Sequence, residues 1–287
     1  MTSHRSGQYI QVYRFDFGPA VGNVHSPKLD FVLALDGTAD TSKYSVSGFN
    51  SGTSIQPNTS RELTVTWKEQ SLADAVGVAF RVTELRYAFS NAEPNVSPTS
   101  YAYVTVDDVR CDNTMRNSQG YKQGCVFPVF VGGVDYRGPY GGADIPQAVG
   151  HIQAAAGAGL PGTSLSRPLH RISSVDDRNA NRAIACPRTA SIANPRKVPG
   201  RSCDEYPFAS TREGAASGGP GRTFNPNCNV PDLQSSNSPT GYSVCMIEAS
   251  QNNLGGSKLG TFYGLGRYID GDAFFVDASG GALPPPP

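Results

Sequence analysis

Apolar and polar positions alternate through much of the first hundred residues. Tyr9-Ile10-Gln11-Val12-Tyr13-Arg14-Phe15 partly alternates, and so does Leu63-Thr64-Val65-Thr66-Trp67. Residues 76–82 and 101–106 are β-branched or aromatic runs, and turn-rich stretches fall at 48–52 and 91–95. A period of two marks strands with one buried face. Short strands at this spacing predict an antiparallel β-sandwich-like accessory domain over residues 1–110. No catalytic constellation shows in it, and it reads as a packing or adhesion module.

The pattern changes after residue 110. Residues 111–140 read as a connector bearing Cys and Gly. An Ala-rich helix is expected over 145–156, with Pro146 tolerated at its start and glycines 157–162 ending it. A loop-rich stretch covers 160–202. A strand is expected at 242–247 and a last strand at 273–276. Between them a helix is expected to start at Asn252 or Asn253, both good N-caps. The tail, 280–287, is Pro-rich and is expected to be extended and disordered.

Composition agrees with this loop-rich, strand-rich reading. Gly (32) and Pro (22) exceed average use and the charged fraction is 17%, which argues against a helical bundle. No run approaches the roughly 20 apolar residues of a membrane span, so no membrane partner is expected. Residues 1–7 are polar and carry no signal-peptide hydrophobic region. The cysteines speak more clearly about compartment. Cys111, Cys125, Cys186, Cys203, Cys228 and Cys245 contain no C-x-x-C pair, which argues against structural zinc. An even count at middling spacing implies disulfides in an oxidising, extracellular setting. Sequential pairing closes the shortest loops and predicts 111–125, 186–203 and 228–245.

Net charge is zero, yet charge is unevenly spread. Residues 1–110 carry 9 Lys+Arg against 11 Asp+Glu, whereas 160–222 carry 10 against 5. Those ten are Arg167, Arg171, Arg178, Arg182, Arg188, Arg196, Lys197, Arg201, Arg212 and Arg222. A local basic patch can steer a polyanion on a neutral protein, and the arginine fork suits phosphate. The bland alternative is a solvated surface.

Within this stretch lies Ser202-Cys203-Asp204-Glu205-Tyr206-Pro207-Phe208-Ala209-Ser210-Thr211-Arg212-Glu213-Gly214-Ala215. Two adjacent carboxylates among cations can hold a divalent metal or activate water. A bare Asp-Glu pair is more often an exposed acidic turn. The whole segment, however, resembles the NucA/NucB deoxyribonuclease family, in particular its larger secreted actinobacterial-like members. Asp204-Glu205-Tyr206-Pro207 and Glu213-Gly214 match that family's order. So do Ala249-Ser250-Gln251-Asn252-Asn253-Leu254-Gly255-Gly256-Ser257 and Asp270-Gly271-Asp272 ahead of Ala273-Phe274-Phe275-Val276. Gly124-Cys125-Val126-Phe127-Pro128, and Asn181-Arg182 leading into Cys186-Pro187, extend the likeness to about residues 108–278.

The resemblance implies an α+β protein whose residues 111–279 form a ββα-metal nuclease-like domain. It implies a secreted, metal-dependent, sequence-nonspecific DNA endonuclease. Asp204 maps onto the general base and Asn252 onto the metal-binding Asn, with Glu205 beside it as ligand or orienting group. Mg²⁺ or Mn²⁺ is the expected metal. The family also places an acid further along the helix, and residues 253–269 hold no Asp or Glu. Glu213, Asp270, Asp272 or waters would complete the shell. Arg182, Arg201 or Arg212 would clamp phosphate oxygens, and Arg178, Arg201 and Lys258 would meet DNA. His151 and His170 read as structural. No G-x-S-x-G, P-loop or dinucleotide fingerprint appears. The reading expects a monomer acting on DNA, with room for an inhibitor or immunity protein. Its rivals are a structural or adhesion protein with a degenerate nuclease domain, and a nuclease toxin module.

Overall fold

A computed structural model describes residues 9–19, 27–35, 39, 41–68, 78–90, 102–117, 120–187 and 196–287. The turn at 91–95, residues 1–7, Val76, Gly77, Tyr101 and Arg188 lie outside these. The chain divides into two compact units, Met1–Phe130 and Val131–Pro287.

In the first unit the strands are β1 (Tyr9–Asp16), β2 (Lys28–Leu35), β3 (Tyr44–Ser47), β4 (Thr53–Ser54), β5 (Ser60–Trp67), β6 (Val78–Ser90), β7 (Ala102–Asn117) and β8 (Gly120–Val126). They form two antiparallel sheets, ordered β1-β5-β3 and β4-β2-β6-β7-β8. The alternation in β1 does what its period requires. Tyr9, Gln11 and Tyr13 are buried, while Ile10 and Val12 face outward. One core holds Tyr9, Leu63, Val65 and Trp67 from the first sheet and Leu29, Leu33, Leu85 and Val109 from the second. The buried Gln11 amide makes three bonds there: Nε2 donates to Thr83 Oγ1 at 2.7 Å, and Oε1 accepts from Trp67 Nε1 at 2.6 Å and Tyr13 OH at 3.1 Å.

The boundary expected at residue 110 falls about twenty residues late in the structure. Residues 111–126 are not a connector but the continuation of β7 and its partner β8. Cys111 and Cys125 face each other in that ladder and are disulfide-bonded. A strand does not stop where its cysteine begins, so the hairpin stays with the sheet it completes.

The second unit contains β9 (Gly132–Asp135), α1 (Pro146–Gly157), β10 (Leu169–His170), α2 (Val175–Ala185), β11 (Arg201–Tyr206), β12 (Gly221–Arg222), β13 (Tyr242–Glu248), α3 (Ala249–Leu265) and β14 (Ala273–Asp277). Its sheets are β10-β14-β9 and β11-β13-β12. β11 runs antiparallel to β13, and α3 follows β13 without a loop. α1 and α3 both pack on the β11–β13 pair. Ile152, Tyr206, Val244, Ile247, Leu259, Tyr263 and Phe274 form the core. Among the described residues no helix is long and apolar enough to cross a membrane.

Two elements differ from expectation. α2 lies within the stretch read as loop. Its exposure is nearly all round, with only Asn181 and Ala185 buried, so it lacks an apolar stripe. Its signal is local: the Ser174 hydroxyl caps it by accepting from Asp177 N, and Asp176 and Asp177 occupy the first turn. The C-terminal tail is packed rather than loose. Gln153 Oε1 accepts from Gly281 N, Pro146 O accepts from Ala282 N, and the carbonyls of Pro284 and Pro285 accept from Asn227 Nδ2 and Arg201 Nη2. A Cβ on Gly150 would stand 2.2 Å from Ala282 C, so the helix can meet the tail only through glycine.

Candidate active site

β11 brings Arg201, Ser202, Cys203, Asp204, Glu205 and Tyr206 across the face of β13, in register with Glu248 through Ser243. Beside these acids, the Cys186–Cys203 disulfide ties the end of α2 to β11. A cavity of about 770 Å³ opens where β11, α2 and α3 meet. Asp204, Glu205, Asn252, Asn253, Arg178 and Arg182 all line it, with Tyr136, Phe208 and Tyr263 among its apolar walls. Arg178 and Arg182 are four residues apart, so they share one face of α2.

The two acids differ in surroundings. Burial pushes the Glu205 carboxyl up to about 7; the neighbouring Asp204 charge adds to this and Arg182 opposes it. Asp204 is held from behind. Its Oδ2 lies 2.6 Å from His151 Nδ1, and His151 Nε2 lies 2.8 Å from Ser243 Oγ.

Asn252 is fixed by its amide nitrogen, which donates to Ser202 Oγ and to Cys203 O, both at 2.9 Å. Its Oδ1 accepts no hydrogen bond among the described residues. The helix expected to start at Asn252 or Asn253 starts earlier. α3 begins at Ala249 with Glu248 as N-cap, so Asn252 and Asn253 are its fourth and fifth residues, not caps. The early start is supported from α1: Gln147 Oε1 accepts from Glu248 N, and Gln251 Oε1 accepts from Gln147 N. These side chains satisfy groups that a helix terminus otherwise leaves open.

Other expected site residues lie elsewhere. Glu213 does not line the cavity; its two oxygens take His170 Nδ1 at 2.7 Å and His170 N at 2.9 Å. Asp270 accepts from Ser173 N and pairs with Arg212, and Asp272 Oδ2 accepts from Ile269 N. Both are engaged in shaping loops. Arg212, through Asp270, belongs to that loop system. Arg201 donates to Asn227 O, Met246 O and Pro285 O. Lys258 donates to Gly138 O and stands 5.8 Å over the Tyr136 ring. Much of the basic stretch is thus structural. Arg167 and Arg222 hold loop carbonyls, and Arg196 pairs with Asp232.

Among the described residues no three His, Cys, Asp or Glu side chains cluster as a ready metal cage. The cavity does offer two carboxylates and the free oxygen of an amide. That all-oxygen set suits a hard divalent cation that keeps several of its waters, as Mg²⁺ does. His151, Ser243, Tyr136 and Tyr263 were not foreseen as site residues. The histidine was visible, but only the helix packing shows what it faces.

The Cys111–Cys125, Cys186–Cys203 and Cys228–Cys245 bonds are all present, in the sequential pairing expected. No curated protein matches the chain. Among solved structures, SSP-19, an MSP-domain protein of Caenorhabditis elegans, matches at 12% identity and a TM-score of 0.24. That match covers 35% of this chain and 85% of SSP-19. The likeness is too slight to place the fold. Residues 165–277, which run from before α2 to the end of β14, match the Deoxyribonuclease NucA/NucB family. Over this part the chain is therefore similar to the NucA/NucB deoxyribonuclease family.

Proposed function

We propose that the second unit is a secreted, metal-dependent DNA endonuclease without sequence preference, built on a ββα-metal type of site. The first unit is proposed as a β-sandwich accessory module. The observation that carries the nuclease reading is the convergence of Asp204, Glu205 and Asn252 on one cavity that Arg178 and Arg182 also line. Hydrolysis of a phosphodiester needs an activated water and neutralisation of the charge that builds on the phosphate. Asp204 is the base. Its Oδ2 is taken up by His151, so Oδ1 is the oxygen left to accept a proton from water in the cavity. Arg178 and Arg182 face the phosphate and neutralise its non-bridging oxygens. Asn252 Oδ1 and the Glu205 carboxylate would hold the divalent cation, Mg²⁺ or Mn²⁺. When bound, it supplies Lewis-acid stabilisation of the leaving oxygen.

Three disulfides support the extracellular setting, since such bonds persist in oxidising compartments. A monomer is proposed, with an inhibitor or immunity protein as a partner for the cavity mouth. A plasmid-nicking assay tests the function. Cutting that appears with Mg²⁺ or Mn²⁺ and stops with EDTA is expected. No cutting with any divalent ion would favour a degenerate nuclease domain in a structural or adhesion protein.

A further inference from the structure

We infer that His151 is a positioning residue for Asp204, contributed by a helix that lies outside the family-matched segment. α1 spans Pro146–Gly157, whereas the family match begins at residue 165. This deepens the nuclease reading and rests on it.

Ser243, His151 and Asp204 form a chain with the order of a hydrolase triad: Ser243 Oγ to Nε2 at 2.8 Å, then Nδ1 to Asp204 Oδ2 at 2.6 Å. Burial decides its direction. The Ser243 residue and the His151 side chain are 0% exposed, and the Asp204 side chain is 16% exposed. Only Asp204 of the three lines the cavity. A serine sealed in the core cannot meet substrate, so no serine nucleophile operates here. The open end is the carboxylate, and the histidine and serine stand behind it.

The hydrogen-bond roles follow. An ionised carboxylate only accepts, so Nδ1 donates to Oδ2. In the neutral ring Nε2 then accepts from the Ser243 hydroxyl. The ring is rooted in α1 and packs steeply against the Phe224 ring, with centroids 6.2 Å apart. One carboxylate oxygen is therefore fixed, and the other is aimed by default. A base placed within about 0.5 Å of its productive position needs such a supporting group. The tail also bears on this arrangement, because Gly150, the neighbour of His151, packs directly on Ala282.

The test compares His151→Asn, His151→Gln and Ser243→Ala with the wild type. Asparagine places an N–H donor near the Nδ1 position and keeps the bond to Asp204. Glutamine reaches toward the Nε2 position and loses that bond. In His151→Gln, kcat should fall about 10–100-fold with KM for DNA unchanged, as for other groups that orient a reacting side chain. His151→Asn should stay within about threefold of wild type, because it retains the donor. Ser243→Ala should lower kcat by less than His151→Gln. Proton NMR of the metal-free protein, labelled with ¹⁵N-histidine, supplies a readout independent of activity. A downfield Nδ1–H resonance, missing from His151→Asn, should be lost in Asp204→Ala. Wild-type kcat in a folded His151→Gln protein, or survival of that resonance in Asp204→Ala, overturns the inference alone. If His151→Gln does not fold, a His151→Asn loss as large as that of Asp204→Ala overturns it instead. Absence of metal-dependent cleavage by the wild type overturns the nuclease reading and this inference together.

Discussion

Cys186, at the C-terminal end of α2, is bonded to Cys203, the residue immediately before Asp204 on β11. The bond joins the helix that carries Arg178 and Arg182 to the strand that carries both cavity acids. It crosses 17 residues of sequence, so it also restricts the unfolded chain. Replacing both cysteines with alanine should lower stability by about 2–4 kcal/mol. It should also lower kcat, because the arginines lose their fixed distance from Asp204. The Cys111/Cys125 double variant, whose bond lies in the other unit, should cleave DNA normally. Thermal unfolding and nicking rates on both variants check this. Equal kcat in the two would show that the bond between α2 and β11 has no catalytic role.

Asp204→Ala should leave a folded protein with kcat reduced about 10²–10⁴-fold, the usual cost of losing a general base. Some stability should go too, since His151 Nδ1 would be left buried without its partner, at about 1–3 kcal/mol. Circular dichroism and single-turnover cleavage separate the two effects. Retention of half the wild-type rate would remove Asp204 from the mechanism.

Asn252→Ala should weaken binding of Mn²⁺ in calorimetry, and Asn253→Ala should not. Both residues line the cavity, but only Asn252 is anchored through its nitrogen to Ser202 and Cys203. That anchor presents the oxygen as the free donor to a cation. A reversal of the two effects would place the ligand one residue further along α3.

Glu205 predicts a pH dependence of the metal-free protein. Its carboxyl is raised from 4.5 to about 7 in the folded state, by burial first and by the Asp204 charge second. The folded protein thus binds this proton more tightly than the unfolded chain. The stability it contributes is complete below about pH 4.5 and is lost as pH rises through 7, a swing of about 3 kcal/mol at most. Urea unfolding between pH 5 and 8 should show falling stability in the wild type and a flatter curve in Glu205→Gln. Parallel curves would mean that Glu205 is solvated in the folded protein.

Local patterns made several elements legible. The alternation of Tyr9 through Phe15 and Leu63 through Trp67 is enough to specify β1 and β5, because period two turns every second side chain to the core. The Ala-rich stretch specified α1, and cysteine spacing was enough for the disulfide pairing, since the shortest loops are the ones the fold closes. The Asp204-Glu205-Tyr206-Pro207 run pointed to the candidate site through its resemblance to the NucA/NucB pattern, since the quoted residues are consecutive.

Other features required the tertiary structure. α2 has no apolar stripe, so its helix is recorded only in a cap and a first turn of acids. The start of α3 depends on Gln147 of another helix, a partner about a hundred residues away. The basic stretch looked like one surface, but most of its arginines hold carbonyls or an acid, and two of them line the cavity. A side chain's type sets what it can donate or accept. Which group it meets depends on packing between elements far apart in sequence, and His151, 53 residues from the aspartate it touches, is the case where that difference decides the site.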